Sequence, residues 1–177
     1  MSPVDGLVRL YEATSTEQRD EGRGWYDQAR ELCRQIGRGR IPVETVARVM
    51  AALSPRVYWA TNVAWTEQVV AARFSGHMVP SVSTTANRRK AWAELDGEDA
   101  LSGQKTKAFA AAIAGDTDAV VIDSWILRAV GLAPTAKVTR HRQRWITAAF
   151  TEAARIVGET PRDFQAIVWC SIRGTAA

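Results

Sequence analysis

The sequence predicts an all-α fold, and three observations carry the prediction. Apolar residues recur at intervals of three and four almost throughout. No stretch alternates polar and apolar residues long enough for a sheet. Residues that start and stop helices stand at the ends of the apolar stripes. The one strand-like run, Val120-Val121-Ile122, is too short to pair with anything evident and reads as an extended connector.

About eight helices follow in order. Trp25, Ala29, Leu32, Cys33 and Ile36 make the first stripe, and Gly37 supplies its stop. Pro42 suits a first helical turn, followed by Val46, Val49, Met50 and Leu53 up to Pro55. A third helix runs from about Val57 to Phe74 with Trp59, Val63, Thr66 and Val69 or Val70 inward. SGHMVPSVSTT is the longest loop, after which Thr84 or Thr85 caps a helix through Ala91, Trp92 and Leu95. QKTKAFAAAIA is a short helix ended by a Gly-Asp turn, and Asp123 opens the next one. Thr139 caps a helix carrying Trp145, Ala149 and Ile156, and Thr160-Pro161 begins the last, through Ile167, Val168 and Ser171. Of the seven tryptophans, Trp25, Trp92, Trp145 and Trp169 fall at core spacing.

A chain of 177 residues with 46% hydrophobic content can bury one core or two small lobes that share one. The net charge is +4, and only Lys90, Lys105, Lys107 and Lys137 are lysines, so arginine carries most of the positive charge. Arginine favours planar, bidentate contacts such as those to phosphate. Cys33 and Cys170 are the only cysteines, both within apolar helical patterns. They read as buried thiols in a reducing compartment, and two cannot build a four-cysteine zinc site. His77 and His141 lack metal-ligand spacing. No apolar run approaches the ~20 residues of a membrane span, and MSPVDGLVRL has no signal-peptide layout. The expectation is a cytoplasmic monomer with no membrane contact.

One stretch raises a question of chemistry. In QKTKAFAAAIAGDTDAVVIDSWILRAVG, residues 104 to 131, a carboxylate stands at the end of Val-Val-Ile where a helix must open, eighteen residues after Lys105. The stretch resembles the signature of the helix-hairpin-helix DNA glycosylases, the superfamily of endonuclease III. That signature is a Gly-containing hairpin, Lys-Thr at the start of the following helix, then Val-Asp-Thr-His-x-x-Arg. Gly103, Lys105 and Thr106 match the hairpin end, Ile122 and Asp123 match Val-Asp, and Arg128 falls five residues after the aspartate. The Lys-to-Asp interval is also that of the endonuclease III-like enzymes. AALSPRVYWATNV resembles the family's Leu-Ser-Gln-Gln-Thr segment, with Ser54 matched and Pro55-Arg56 in place of the glutamines. ANRRKAW resembles its Asn-x-x-Lys-Ala helix through Asn87, Lys90 and Ala91. The chain is similar as well to small glycosylase-like proteins encoded by bacteriophages. It departs from the pattern in keeping only Gly103 of the hairpin glycines, in Ser124-Trp125 for Thr-His, and in lacking the iron-sulfur cysteines.

The resemblance implies a two-lobed glycosylase-like fold without an iron-sulfur cluster. One lobe covers about residues 38–114 with the helix-hairpin-helix, the other about 1–37 plus 115–177, and a cleft between them holds Asp123 and Lys105. The implied activity is excision of a modified or damaged base from DNA, with strand cleavage by a lyase step. Elementary chemistry assigns the same roles. Breaking an N-glycosidic bond passes through an oxocarbenium-like sugar, which a fixed carboxylate stabilises, and a desolvated lysine attacks the sugar carbon to form a Schiff base. No metal or cofactor is required. Each residue also has a plainer account: Asp123 as a simple N-cap and Lys105 as a solvated helix lysine.

The expected DNA contacts are Gly103, Gln104, Thr106 and Lys107 at the hairpin, where helix N–H groups cradle a phosphate or merely form a turn. The others are Arg88 and Lys90 in one basic cluster, Arg140 and Arg144 with Lys137 in a second, Arg128, and Arg56. Arg56 fills the space left by a flipped base, touches the opposite strand, or makes a salt bridge. Tyr58, Trp59 and Trp125 are the candidate base-stacking residues, with core packing as their alternative. Two further functions share these residues: a non-catalytic DNA-binding module, and a phage base-hypermodification enzyme acting on modified thymine.

Overall fold

The computed structural model describes residues 2–174, and among these it is all-helical, with nine helices and no strand. They are α1 Pro3–Ala13, α2 Thr16–Gly37, α3 Val43–Leu53, α4 Trp59–Ser75, α5 Thr85–Leu95, α6 Gln104–Ala114, α7 Ser124–Ala129, α8 Arg140–Val157 and α9 Pro161–Arg173. Helix starts are set by side-chain caps. Thr84, Thr139, Thr160 and Asp123 each accept hydrogen bonds from backbone N–H groups two or three residues on. Val120–Ile122 is buried and belongs to no helix or strand, a connector as its length implies.

The chain divides into two compact units, one of residues 28–114 and one joining the segment that ends at Asp27 to the segment that starts at Gly115. The first division falls inside α2 rather than after Gly37. Beyond residue 27 that helix faces α3, and the Cys33 sulfur lies 4.0 Å from that of Met50.

In the 28–114 unit α3 is the centre. Val46, Ala47, Val49, Met50, Ala51, Ala52 and Leu53 are all buried, so its apolar character runs nearly all round, as a helix covered on several sides requires. α4, α5 and α6 each pack on it.

The other unit is built on Phe150 and Phe164, fully buried and edge-to-face with centroids 5.7 Å apart, in a cluster with Leu7, Ile126, Ile146 and Ile167. α1 packs on α8 and α9, and α7 on α9. At one crossing the backbones nearly touch: a Cβ added to Gly22 of α2 falls 2.6 Å from Ile167 Cα and 2.7 Å from Ile167 N. No side-chain rotation relieves a clash with backbone, so Gly22→Ala should force α2 and α9 apart and cost about 1–3 kcal/mol or more. Thermal unfolding checks this, and an unchanged Tm would mean the crossing is slack.

Three details differ from the sequence reading. α1 is a ninth helix, begun by a capping box in which Ser2 and Asp5 bond each other's backbone N–H. The α8 stripe is shifted by one: Ile146, Ala149, Phe150, Ala153 and Ala154 are buried, whereas Trp145 is 39% and Ile156 52% exposed. Phe164 of α9 selects Phe150, and with it that face. Finally, α4 starts at Trp59, two residues after Val57. No helix among the described residues is long and apolar enough to cross a membrane. Cys33 and Cys170 are free and buried, and burial raises the pKa values of the thiols to about 12 and about 11.

A half-buried ion cluster ties α1, α2 and the end of α8 together. Glu159 accepts from Arg23 through Nη2 at 2.6 Å and Nε at 3.2 Å, and from the Tyr11 hydroxyl at 2.8 Å. Burial by itself pushes the Glu159 carboxyl up, but these bonds more than offset it, and its pKa lies below the usual glutamate value. A depressed folded-state pKa contributes stability above the unfolded value, about 4.3, and that contribution is lost as pH falls through the folded value. The wild type should therefore lose more stability than Glu159→Gln on acidification below about pH 5. Parallel Tm-versus-pH curves for the two proteins would contradict this.

Candidate active site

Asp123 ends the buried Val120–Ile122 connector and caps α7. Its Oδ1 accepts from the backbone N–H of Trp125 at 2.9 Å and of Ile126 at 3.0 Å, the ordinary work of a cap. Its Oδ2 accepts from the indole Nε1–H of Trp169, 46 residues away on α9, at 3.0 Å. α7 has only six residues, so these three donors, rather than a long helix dipole, hold the carboxylate. The negative charge has a buried neighbour in Tyr26. Burial first, and then the charge of Asp123, push the Tyr26 hydroxyl's pKa up. That hydroxyl donates to Gln165 Oε1 at 3.0 Å. Arg162, also buried, pairs with Asp27 at 3.0 Å and Asp163 at 2.9 Å.

Sequence reasoning missed this surround. Trp169 reads there as packing, and Tyr26, Arg162 and Gln165 are not singled out. A signal was present: Arg162, Gln165 and Trp169 recur at intervals of three and four on the face of α9 that turns inward. Polar residues at core spacing announce a buried polar contact.

Trp125 is half-buried, and the exposed Arg128 lies over its ring, with Cζ 4.5 Å from the centroid. Both belong to the same unit as Asp123, as do Arg140 and Arg144, which are exposed in the first turns of α8.

Lys105 belongs to the 28–114 unit, in the first turn of α6, and its side chain is exposed. The desolvation expected of a nucleophilic lysine is therefore not supplied by burial. Gly103 precedes it with φ +90°, a conformation suited to glycine. The Thr106 hydroxyl donates back to the carbonyls of Ser102 and Gly103 at 2.7 and 3.0 Å, closing the start of the helix. Gln104 is exposed. Lys107 pairs with Asp99 at 3.4 Å, and Lys90 donates to the Ser102 hydroxyl.

The segment 96–103 joining α5 to α6 is organised by Glu94, another residue the sequence did not reveal. Buried at the end of α5, it accepts from the N–H groups of Ala100 at 2.9 Å and Leu101 at 2.8 Å and pairs with Arg48. On α5 itself Arg88 reaches the Ser81 and Thr85 hydroxyls, each at 3.3 Å. Arg56 sits in the α3–α4 turn with φ +61°, exposed and without a salt bridge. Tyr58, at the N-cap of α4, is 79% exposed, which excludes core packing for it, while Trp59 is half-buried.

A family model matches residues 2–176. The chain belongs to DUF7178, a family of unknown function. No curated protein and no solved structure matches this DUF7178 chain.

Proposed function

We propose that this DUF7178 protein is a DNA glycosylase of the helix-hairpin-helix kind, with Asp123 stabilising the sugar cation and Lys105 as the attacking amine. The observation that carries the reading is the Asp123 carboxylate. It stands where the resemblance puts the catalytic aspartate, and three N–H donors fix it through both oxygens.

In the proposed reaction the C1′–N bond breaks with its electron pair leaving on the base, which takes up a proton. The Lys105 amine bonds to C1′ and gives up a proton. The sugar ring then opens to a C1′=N Schiff base, with O4′ taking a proton. Loss of a C2′ proton and departure of the 3′-phosphate cleave the strand. Exposed Arg128, Arg140 and Arg144 suit phosphates, and Tyr58 suits stacking on a base.

The test is borohydride trapping on duplexes carrying uracil, 5-hydroxymethyluracil, 8-oxoguanine or an abasic site. A covalent band that Lys105→Ala removes supports the lyase reading. A second reading, a DNA-binding module without catalysis, is favoured by the exposure of Lys105. Salt-sensitive duplex binding with no excision on any strand would select it, and affinity unchanged by salt would remove both readings.

A further inference from the structure

We infer that Trp169 is a positioning residue for Asp123, its indole N–H fixing the carboxylate plane against the developing sugar cation. The inference rests on the glycosylase reading.

An N-cap aspartate needs one oxygen for its helix, and Asp123 meets both N–H groups of α7 with Oδ1 alone. Oδ2 has no part in the cap, and a carboxylate held by one oxygen still rotates about its Cβ–Cγ bond. The bond from Trp169 Nε1 at 3.0 Å removes that freedom. A carboxylate has about four lone-pair sites and three are engaged here, so the group stays fixed and retains acceptor capacity for a cation.

The donor is itself held. Trp169 packs its half-buried ring against the Phe150–Phe164 cluster, and Arg173, one turn further along α9, places its guanidinium carbon 4.6 Å from the ring centroid. The ring is thus held by the core cluster and capped by a cation. An indole N–H also donates and never accepts, so it cannot take the proton of a carboxylic acid or reverse the polarity of the bond. Trp169 acts on substrate only through Asp123. Its loss should therefore lower kcat and leave KM nearly unchanged, because the interaction it sharpens belongs to the transition state.

The experiment compares wild type, Trp169→Phe, and a protein carrying β-(3-benzothienyl)alanine at position 169, in which sulfur replaces the N–H without changing the ring's shape. Indole resonances in ¹H–¹⁵N spectra supply the structural readout, and steady-state excision of the base released in the duplex panel supplies kcat and KM. The resonance missing from Trp169→Phe should be the one that moves upfield in Asp123→Asn. Both position-169 variants should lose about 10- to 100-fold in kcat, the size typical of losing an orienting hydrogen bond behind a reacting group. Wild-type kcat in the benzothienyl protein, or an indole resonance indifferent to Asp123→Asn, overturns this inference alone. No excision by the wild type on any strand overturns the glycosylase reading and this inference with it.

Discussion

Asp123→Asn should cut base excision by about two to three orders of magnitude while duplex binding persists. The substitution is nearly isosteric. The asparagine carbonyl can still accept from the Trp125 and Ile126 N–H groups, so α7 keeps its cap. The side-chain NH₂ then faces the Trp169 indole N–H, donor against donor, and one hydrogen bond is lost at about 1–3 kcal/mol of stability. That cost is local, whereas the loss of charge removes the group proposed to stabilise the oxocarbenium ion. The arginines proposed to meet phosphates are untouched, so affinity and its salt dependence should stay near wild type. Excision at wild-type rate by a folded Asp123→Asn protein would reduce the residue to a cap.

The two lysines of α6 form an internal control for the same chemistry. Two residues along a helix turn a side chain by roughly 200°, so Lys105 and Lys107 leave the helix on nearly opposite sides. Lys107 is engaged with Asp99 and Lys105 has no such partner. Lys105→Ala should abolish borohydride trapping on an abasic duplex, and Lys107→Ala should not. The exposed Lys107–Asp99 pair is worth little, so its loss leaves stability nearly unchanged.

How much of this was legible in the sequence follows from how local each interaction is. Thr84, Thr139, Thr160 and Asp123 bond their own helices within three residues, and a sequence pattern suffices to find them. Ser2-Pro3-x-Asp5 was equally local and marks α1, a helix overlooked for want of a long stripe behind it. In α8 the stripes beginning at Trp145 and Ile146 are both apolar. Only the ring of Phe164, supplied by the next helix, chooses between them. The candidate site divides in the same way. Asp123 announces itself by its cap, but its third donor, Trp169, is 46 residues away, and no local pattern distinguishes an indole that packs from one that also donates.

Glu94 is the sharpest case of a residue invisible in sequence, and its removal should produce the largest loss of stability. Its side chain is 2% exposed, and its two oxygens serve Arg48 and the N–H groups of Ala100 and Leu101 together. Glu94→Ala leaves the buried Leu101 amide without its acceptor and strips one acceptor each from the Ala100 amide and the Arg48 guanidinium, which keep the Glu98 carbonyl and Asp99. Breaking a buried pair from one side costs about 3–5 kcal/mol. Arg48 is 32% exposed and can recover some hydration, which brings the expectation to about 2–4 kcal/mol. Glu94→Gln should cost less, because its carbonyl still accepts from the two amides, although its NH₂ then faces the Arg48 Nε–H, donor against donor. Hydrogen exchange gives the local readout. The Ala100 and Leu101 amides should lose protection in Glu94→Ala and keep most of it in Glu94→Gln, and equal protection in both variants would contradict the anchoring role. The consequence reaches the proposed DNA contact, because segment 96–103 delivers Gly103 and the first turn of α6. With its anchor gone, Leu101 is free to leave the core and the α6 N–H groups lose their fixed direction. Duplex affinity should then fall in Glu94→Ala although the substituted residue is buried and touches no phosphate.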